Sequence, residues 1–273
     1  MTAAAATLQR SLGALRIAVK DRDGDTVLDR FRQEGCLKAR WPRPERGGWT
    51  SAVTLNSAGG VAQGDRLDTA IRAGPGTRLT VASQAAERFY RSPGGDPAHV
   101  RTALTVEAGA ALEWLPQETI LFDGCALDRR LAVDLAPDAW FLGVETLVFG
   151  RALMGETLRH AMLSDTIQVR QGGALLLHDA IRLHGPVQDL LDRPAIAAGG
   201  HVAATLIYAS PDAADRLDAL RAALEPWQAG ASVMQSLLIA RIIANDGACA
   251  RAAIVAGLAT LRGDRPLPRV WSC

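Results

Sequence analysis

The chain has 273 residues, 48% of them hydrophobic, enough apolar material for one large β domain or two small ones. Its 30 Lys and Arg residues stand against 29 Asp and Glu, a formal charge of +1. That balance gives neither nucleic acid nor an anionic membrane an electrostatic reason to be the main partner.

In chain order, residues Met1 to Ala18 carry Arg10 and Arg16 and lack a continuous apolar stretch, so no secretion signal is expected. Strand signals then dominate to about residue 209. Val100, Thr102, Leu104 and Val106 alternate with more polar neighbours, as do Leu131, Val133 and Leu135, and Ile167 with Val169. Period two puts one set of side chains in a core and the other in solvent. Gly74-Pro75-Gly76, Ser92-Pro93-Gly94-Gly95 and Gly172-Gly173 punctuate these runs as turns. The spacing predicts ten to a dozen short strands over residues 12–209, a mainly β, layered body built as a sandwich or a helix-like β stack. No fixed sequence period marks a solenoid.

The charge-free run from Pro194 to Pro211 contains Gly199-Gly200 and His201 and reads as loop plus strand. A membrane span needs about 20 consecutive apolar residues. Two α-helices are expected near the C-terminal end. One covers 211–225, with Ser210 as cap, Pro211 in first position, Leu217, Leu220 and Leu224 on one face, and Glu225-Pro226 as the stop. The other covers 247–262, capped by Asp246 and followed by Gly263. Ser236 to Ala244 between them reads as a buried strand. With no linker or charge block, the chain is expected to form a single domain over residues 1–273.

The common catalytic signatures are missing. Gly59 and Gly64 have phosphate-loop spacing, but Asp65-Arg66 follows where that loop needs Lys and then Ser or Thr. There is no G-x-S-x-G elbow and no H-E-x-x-H pair. Cys36, Cys125, Cys249 and Cys273 are too far apart for a C-x-x-C metal pair, and free thiols fit a cytoplasmic location. His178 and His184 have the even spacing of one strand face, and with Asp179 between them they could in principle hold a metal ion. Glu113, Glu118 and Asp123 offer carboxylates for a glycosidase-like hydrolase. Pro116 breaks their segment, however, and only 5% of residues are aromatic, few for stacking sugar rings.

More specific is an ordered series of segments: Asn56-Ser57-Ala58-Gly59-Gly60, Gly64-Asp65-Arg66-Leu67, Gln84 to Ser92 (QAAERFYRS), Leu112 to Thr119 (LEWLPQET), Phe122-Asp123-Gly124, Phe149-Gly150-Arg151 with Met154-Gly155-Glu156, Asp179 with Arg182-Leu183, and Leu267 to Trp271 (LPRVW). In this order they resemble the urease accessory protein D family, UreD or UreH, over about residues 30–271. L-E-W-L-P-Q-E-T and F-G-R-x-x-M-G-E carry most of the resemblance. Ala58 departs from the proline of the family pattern, and Ala85 and Glu87 are milder departures.

The resemblance implies a mainly β fold with a few helices and a non-catalytic maturation role. Such a protein binds the urease apoprotein and recruits accessory protein F. That protein brings the nickel GTPase G, and accessory protein E takes part indirectly. No cofactor is expected to stay tightly bound; nickel passes through in transit, along a water-filled internal path. A passing ion must be held loosely, which favours carboxylates and water over thiolates. The acids inside the motifs are therefore the metal-transit candidates: Asp65, Glu118, Asp123, Glu145 and Glu156. Each also has a structural reading: Asp65 and Glu156 as turn caps, Glu145 on an exposed strand face. The three glycines of Gly59 to Gly64 predict a tight, bent loop. Arg88, Tyr90, Arg91 and Trp271 are the partner-binding candidates, of the types enriched at interfaces. The alternatives are Phe89 or Tyr90 in the core and Trp271 anchored to its own domain. A metal store, the remaining reading, is disfavoured by the absence of a Cys/His cluster.

Overall fold

The computed structural model describes residues 10–43, 49–263 and 265–272, so Cys273 lies outside the described residues. β1 (Leu12–Arg22) and β2 (Asp25–Gly35) form an antiparallel hairpin. Asp23 and Gly24 close it with positive φ, the two-residue turn that matches strand twist. β3 (Leu37–Arg40) and β4 (Thr50–Asn56) start a second sheet.

The chain then winds between the two sheets. β5 (Arg66–Ala73) lies in the first and β6 (Arg78–Ser83) in the second. After the short β7 (Glu87–Phe89), β8 (Ala98–Val106) returns to the first and β9 (Ala111–Leu115) to the second. After β10 (Thr119–Leu121), β11 (Ala126–Leu135), β12 (Trp140–Phe149) and β13 (His160–Gln171) continue the alternation. Along this winding β5, β8, β11 and β13 are parallel in the first sheet and β4, β6, β9 and β12 in the second, so the body is a helix-like β stack. β14 (Ala174–Pro186) folds back on β13 and leads into α1 (Val187–Leu191), a short helix that sequence reading missed. β15 (Val202–Ala209), α2 (Leu217–Leu224), β16 (Ala229–Met234), β17 (Leu237–Ala244) and α3 (Gly247–Arg262) complete the order.

The stack has no visible sequence repeat because its coils differ in length. The register steps 33 residues from Leu67 to Val100, 29 from Val100 to Arg129, and 36 from Arg129 to Asp165. The second sheet steps 29 from Ala52 to Val81, 33 to Trp114 and 29 to Gly143. The turns absorb the difference, so the pattern is regular in space and irregular along the chain. Fifteen strands form over residues 12–209, among the described residues, more than the dozen expected there, because the 3-residue strands β7 and β10 carry little alternation; β17 falls on the strand expected at 236–244, and the Ala- and Gly-containing β16 was not foreseen.

One core fills the space between the sheets and includes Leu15, Ile71, Leu104, Val133, Leu112 and Phe141. A second lies on the other face of the second sheet, where Leu142, Val144 and Leu206 meet Leu220, Leu224, Ile254 and Leu258 of the helices. The second sheet is thus buried on both faces, and its strands read as nearly continuous apolar runs such as Phe141 to Phe149. Gly257 lets α3 lie close: a Cβ there would meet Leu206 Cδ1 at 2.5 Å.

α3 begins and ends as expected, with Asp246 Oδ1 accepting from the Cys249 amide at 2.8 Å and Gly263 at φ +64°. α2 starts six residues later than expected. Ser210 donates its hydroxyl to Asp212 Oδ1 at 2.5 Å instead of capping a helix, and Tyr208 and Arg216 bind the same carboxylate. These bonds hold residues 211–216 in turns. No helix among the described residues is long and apolar enough to cross a membrane.

Candidate functional site

The separated motifs meet at the ends of the parallel strands. β10 pairs with β7 on one side, Leu121 beside Phe89, and with β12 on the other, Leu121 beside Phe149. Val61 from the glycine loop bridges Phe89 in turn. Phe89 is buried, whereas Tyr90 is 37% exposed and Arg88 and Arg91 face outward. Tyr90 donates to the Gly59 carbonyl at 2.8 Å and meets Phe122 edge-on, with ring centroids 5.0 Å apart. The Arg151 guanidinium lies 4.0 Å over the Phe122 ring and pairs with Glu156 at 2.6 Å. Met154 beside them is 74% exposed. Gly60 is required here, because a Cβ would fall within the Tyr90 ring. The motifs therefore build one surface of aromatic, arginine and methionine side chains, the types found at interfaces.

Three of the five candidate acids brace this surface. Asp65 is buried and accepts from the Ser11 and Ala62 amides at 2.7 and 2.8 Å. Asp123 accepts from the Arg159 and His160 amides at 2.8 and 2.9 Å, and Glu156 is paired with Arg151.

The L-E-W-L-P-Q-E-T strand works on two faces. Toward the helices, Glu113 is fully buried and accepts from Thr80 at 2.6 Å, Arg262 at 2.8 and 3.0 Å, and Arg265 at 2.5 Å. Its oxygens are saturated, which removes it as a hydrolytic acid or base. Gln117 donates to the Val270 carbonyl at 2.8 Å and accepts from Arg251 at 3.0 Å, and Glu118 lies 3.7 Å from Arg251. Trp271 is buried and donates its indole N–H to the Leu115 carbonyl at 3.1 Å. Its side chain anchors the tail to its own domain and is not on the partner-accessible surface.

Toward the lumen, Trp114 donates to Glu145 Oε1 at 2.8 Å. Arg129 binds Glu145 Oε2 at 2.7 Å, Asp165 through two bonds of 2.8 and 2.6 Å, and Thr119 at 2.8 Å. All five residues are buried. Asp179, paired with Arg241, borders the same cavity of about 10 Å³, room for about one water. A larger cavity of about 190 Å³ opens among Asn56, Gly59 and Gln84 to Arg88 and reaches Trp114. Glu87 lines it, held by Asn56 at 3.1 Å. Burial pushes the carboxyls of Glu87 and Glu145 above the ordinary carboxylate range, the latter against the pull of Arg129. Burial works against the Arg129 charge, but Asp165 and Glu145 hold its pKa above the usual value.

Glu145 is thus not on an exposed strand face, because β12 is buried on both sides. The His178–Asp179–His184 reading also fails: neighbours on a strand point oppositely, so both histidines face out and Asp179 faces Arg241. Among the described residues no group of three or more His, Cys, Asp or Glu is placed to hold a metal ion. Sequence reading missed Arg129, Asp165 and Glu87. The first two left a signal, since Arg129 falls in phase with Leu131 and Val133, and Asp165 with Ile167 and Val169. A charge on the buried phase of a strand needs a partner, and the register puts these two side by side.

The UreD urease accessory protein family model matches residues 11–272. A urease accessory protein UreD from Azorhizobium caulinodans is 45% identical over 266 residues, covering 97% of each chain. The UreD of Xanthobacter autotrophicus is also 45% identical, over 97% of this chain and 91% of its own. The UreD of Rhizobium rhizogenes is 40% identical over the full length of both. The chain belongs to the UreD family of urease accessory proteins.

Proposed function

We propose that this chain is a non-catalytic scaffold of the cytoplasm that binds the urease apoprotein and, with accessory proteins F and G and indirectly E, delivers nickel to the urease active site. Its motif surface, with Arg88, Tyr90 and Arg91 at the rim, is the docking face. The observation that carries the reading is the row of charges between the sheets. It runs from Glu87 at the outer cavity, past the Trp114 indole, to Glu145, Arg129, Asp165 and Asp179. A protein that only needed stability would fill that space with apolar side chains, since buried ion pairs contribute little net stability.

Carboxylates spaced along a path and nowhere gathered, among the described residues, into a fixed metal site suit a divalent cation that must leave again, whereas thiolates would trap it. Nickel is the cargo, and Glu145 is the transit acid at the centre. Asp65, Asp123 and Glu156 hold the mouth in shape, whereas Glu118 faces Arg251 on the helix side of the second sheet, outside this row. Co-expression of the tagged chain with the urease subunits, with and without accessory protein F, tests the scaffold role. The expected result is a stable assembly containing apourease, weighed by light scattering. No association under either condition overturns the proposal.

A further inference from the structure

At the opposite ends of the same parallel strands, where β6, β9 and β12 begin, a cleft of about 380 Å³ opens between the second sheet and the chain around α2 and α3. Its wall is a chain of three rings. Trp49 meets Trp140 edge-on with centroids 5.8 Å apart, and Trp140 meets Tyr208 at 5.6 Å. Its rim is cationic. Arg78, Arg216 and Arg265 come from β6, from the turn before α2 and from the chain after α3, and Arg262 lies behind them. The only carboxylate among the described lining residues is Asp212, with Glu113 beneath. Among the described residues, four guanidinium groups stand against two carboxylates.

These charges are unequally committed. Arg262 is buried and spends its donors on Glu113 and on the Arg265 and Pro266 carbonyls. Arg265 lies 3.8 Å over Trp49 and bonds Glu113 through one nitrogen, so its plane is fixed while part of its edge stays open. Arg216 bonds Asp212 at 2.8 Å with both side chains partly exposed. Arg78 is exposed and has no carboxylate of the described residues within ion-pair distance.

We propose that this cleft binds an acidic segment of a partner protein, an extended stretch whose Asp or Glu side chains meet Arg78, Arg216 and the open edge of Arg265 while its backbone lies on the half-buried Trp49 and Trp140, with Tyr208 buried behind them. Pre-oriented guanidinium forks pair with carboxylates, and tryptophan, tyrosine and arginine dominate the energy of interface centres. A nucleotide fits less well. Among the described residues no glycine-rich phosphate loop lines the cleft, and where the start of α2 borders it the Asp212 carboxylate would repel a phosphate. Arg265 also already covers a face of Trp49 that a base would need. The inference does not depend on the nickel path, which opens at the other end of the strands.

The test uses a fluorescein-labelled ten-residue glutamate peptide and the full chain, read by anisotropy at low and at physiological salt. Saturable binding that weakens with salt is expected, together with a change in tryptophan fluorescence. The variant Arg78→Glu with Arg216→Glu should bind at least tenfold more weakly at an unchanged circular dichroism spectrum. A charge-matched control, Arg66→Glu with Arg182→Glu on the outer face of the first sheet, should bind like the parent. Three results overturn the proposal: no saturable binding, equal loss in the control, or displacement of the peptide by ATP at equal or lower concentration. The last would make a small phosphate the ligand.

Discussion

Glu113→Ala is the sharpest stability test of this fold. The carboxylate is fully buried, and four donor bonds converge on it from Thr80, Arg262 and Arg265. The Arg262 side chain is only 1% exposed. Removing the acid leaves a buried guanidinium without a counter-charge, a loss of about 3–5 kcal/mol. For a chain of this size each kcal/mol moves the melting temperature by about 3 °C, so a fall of about 10 °C is expected. Because the two groups act as a unit, Arg262→Met with Glu113→Ala should cost about as much as either change alone, not their sum. Thermal unfolding of the three variants, followed by circular dichroism, provides the measurement. A melting point for Glu113→Ala within about 2 °C of the parent would refute the reasoning.

Three further outcomes follow from the geometry. Tyr90→Ala with Arg91→Ala should fold normally and lose apourease or accessory protein F in co-purification. Phe89→Ala, which empties a core site, should instead cost about 3–5 kcal/mol. Burial works against the charged Asp128 carboxyl, but the Arg101 and Arg130 guanidinium groups beside it hold it below the usual carboxylate range. A lowered folded pKa contributes stability that is present above about 3.8 and lost as pH falls through the folded value. Asp128→Asn should therefore show a flatter fall in stability below pH 4 than the parent. Burial pushes the Cys125 thiol up to about 12, so mass spectrometry after brief iodoacetamide treatment at pH 8 should find Cys249, which is exposed, modified and Cys125 untouched.

Much of the first sheet was legible because strands such as β8, β11 and β13 alternate. β13 reads exposed and buried in turn along nearly its whole length, and the Asp246 and Gly263 caps mark both ends of α3. The winding was hidden, because coils of 29 to 36 residues give no common period. The start of α2 was hidden because Ser210 had a second use, as donor to Asp212. At the site, the motifs located the surface around Tyr90 and Phe122 but could not sort its acids. Asp65 and Asp123 satisfy backbone amides, whereas Glu145 enters a charged network, and only the three-dimensional register separates these cases. Trp114 and Glu113 are neighbours in one motif and serve opposite faces of one strand, a distinction that period two states once β9 is known to be buried on both sides.

Under the proposed function, nickel passes the buried Glu145. The most direct measurement is the nickel content of urease matured in cells by the Glu145→Gln variant, alongside the composition of the purified maturation complex. The expected result is a complex of unchanged composition and urease with a several-fold lower nickel content. Full nickel loading in the presence of the variant would contradict it.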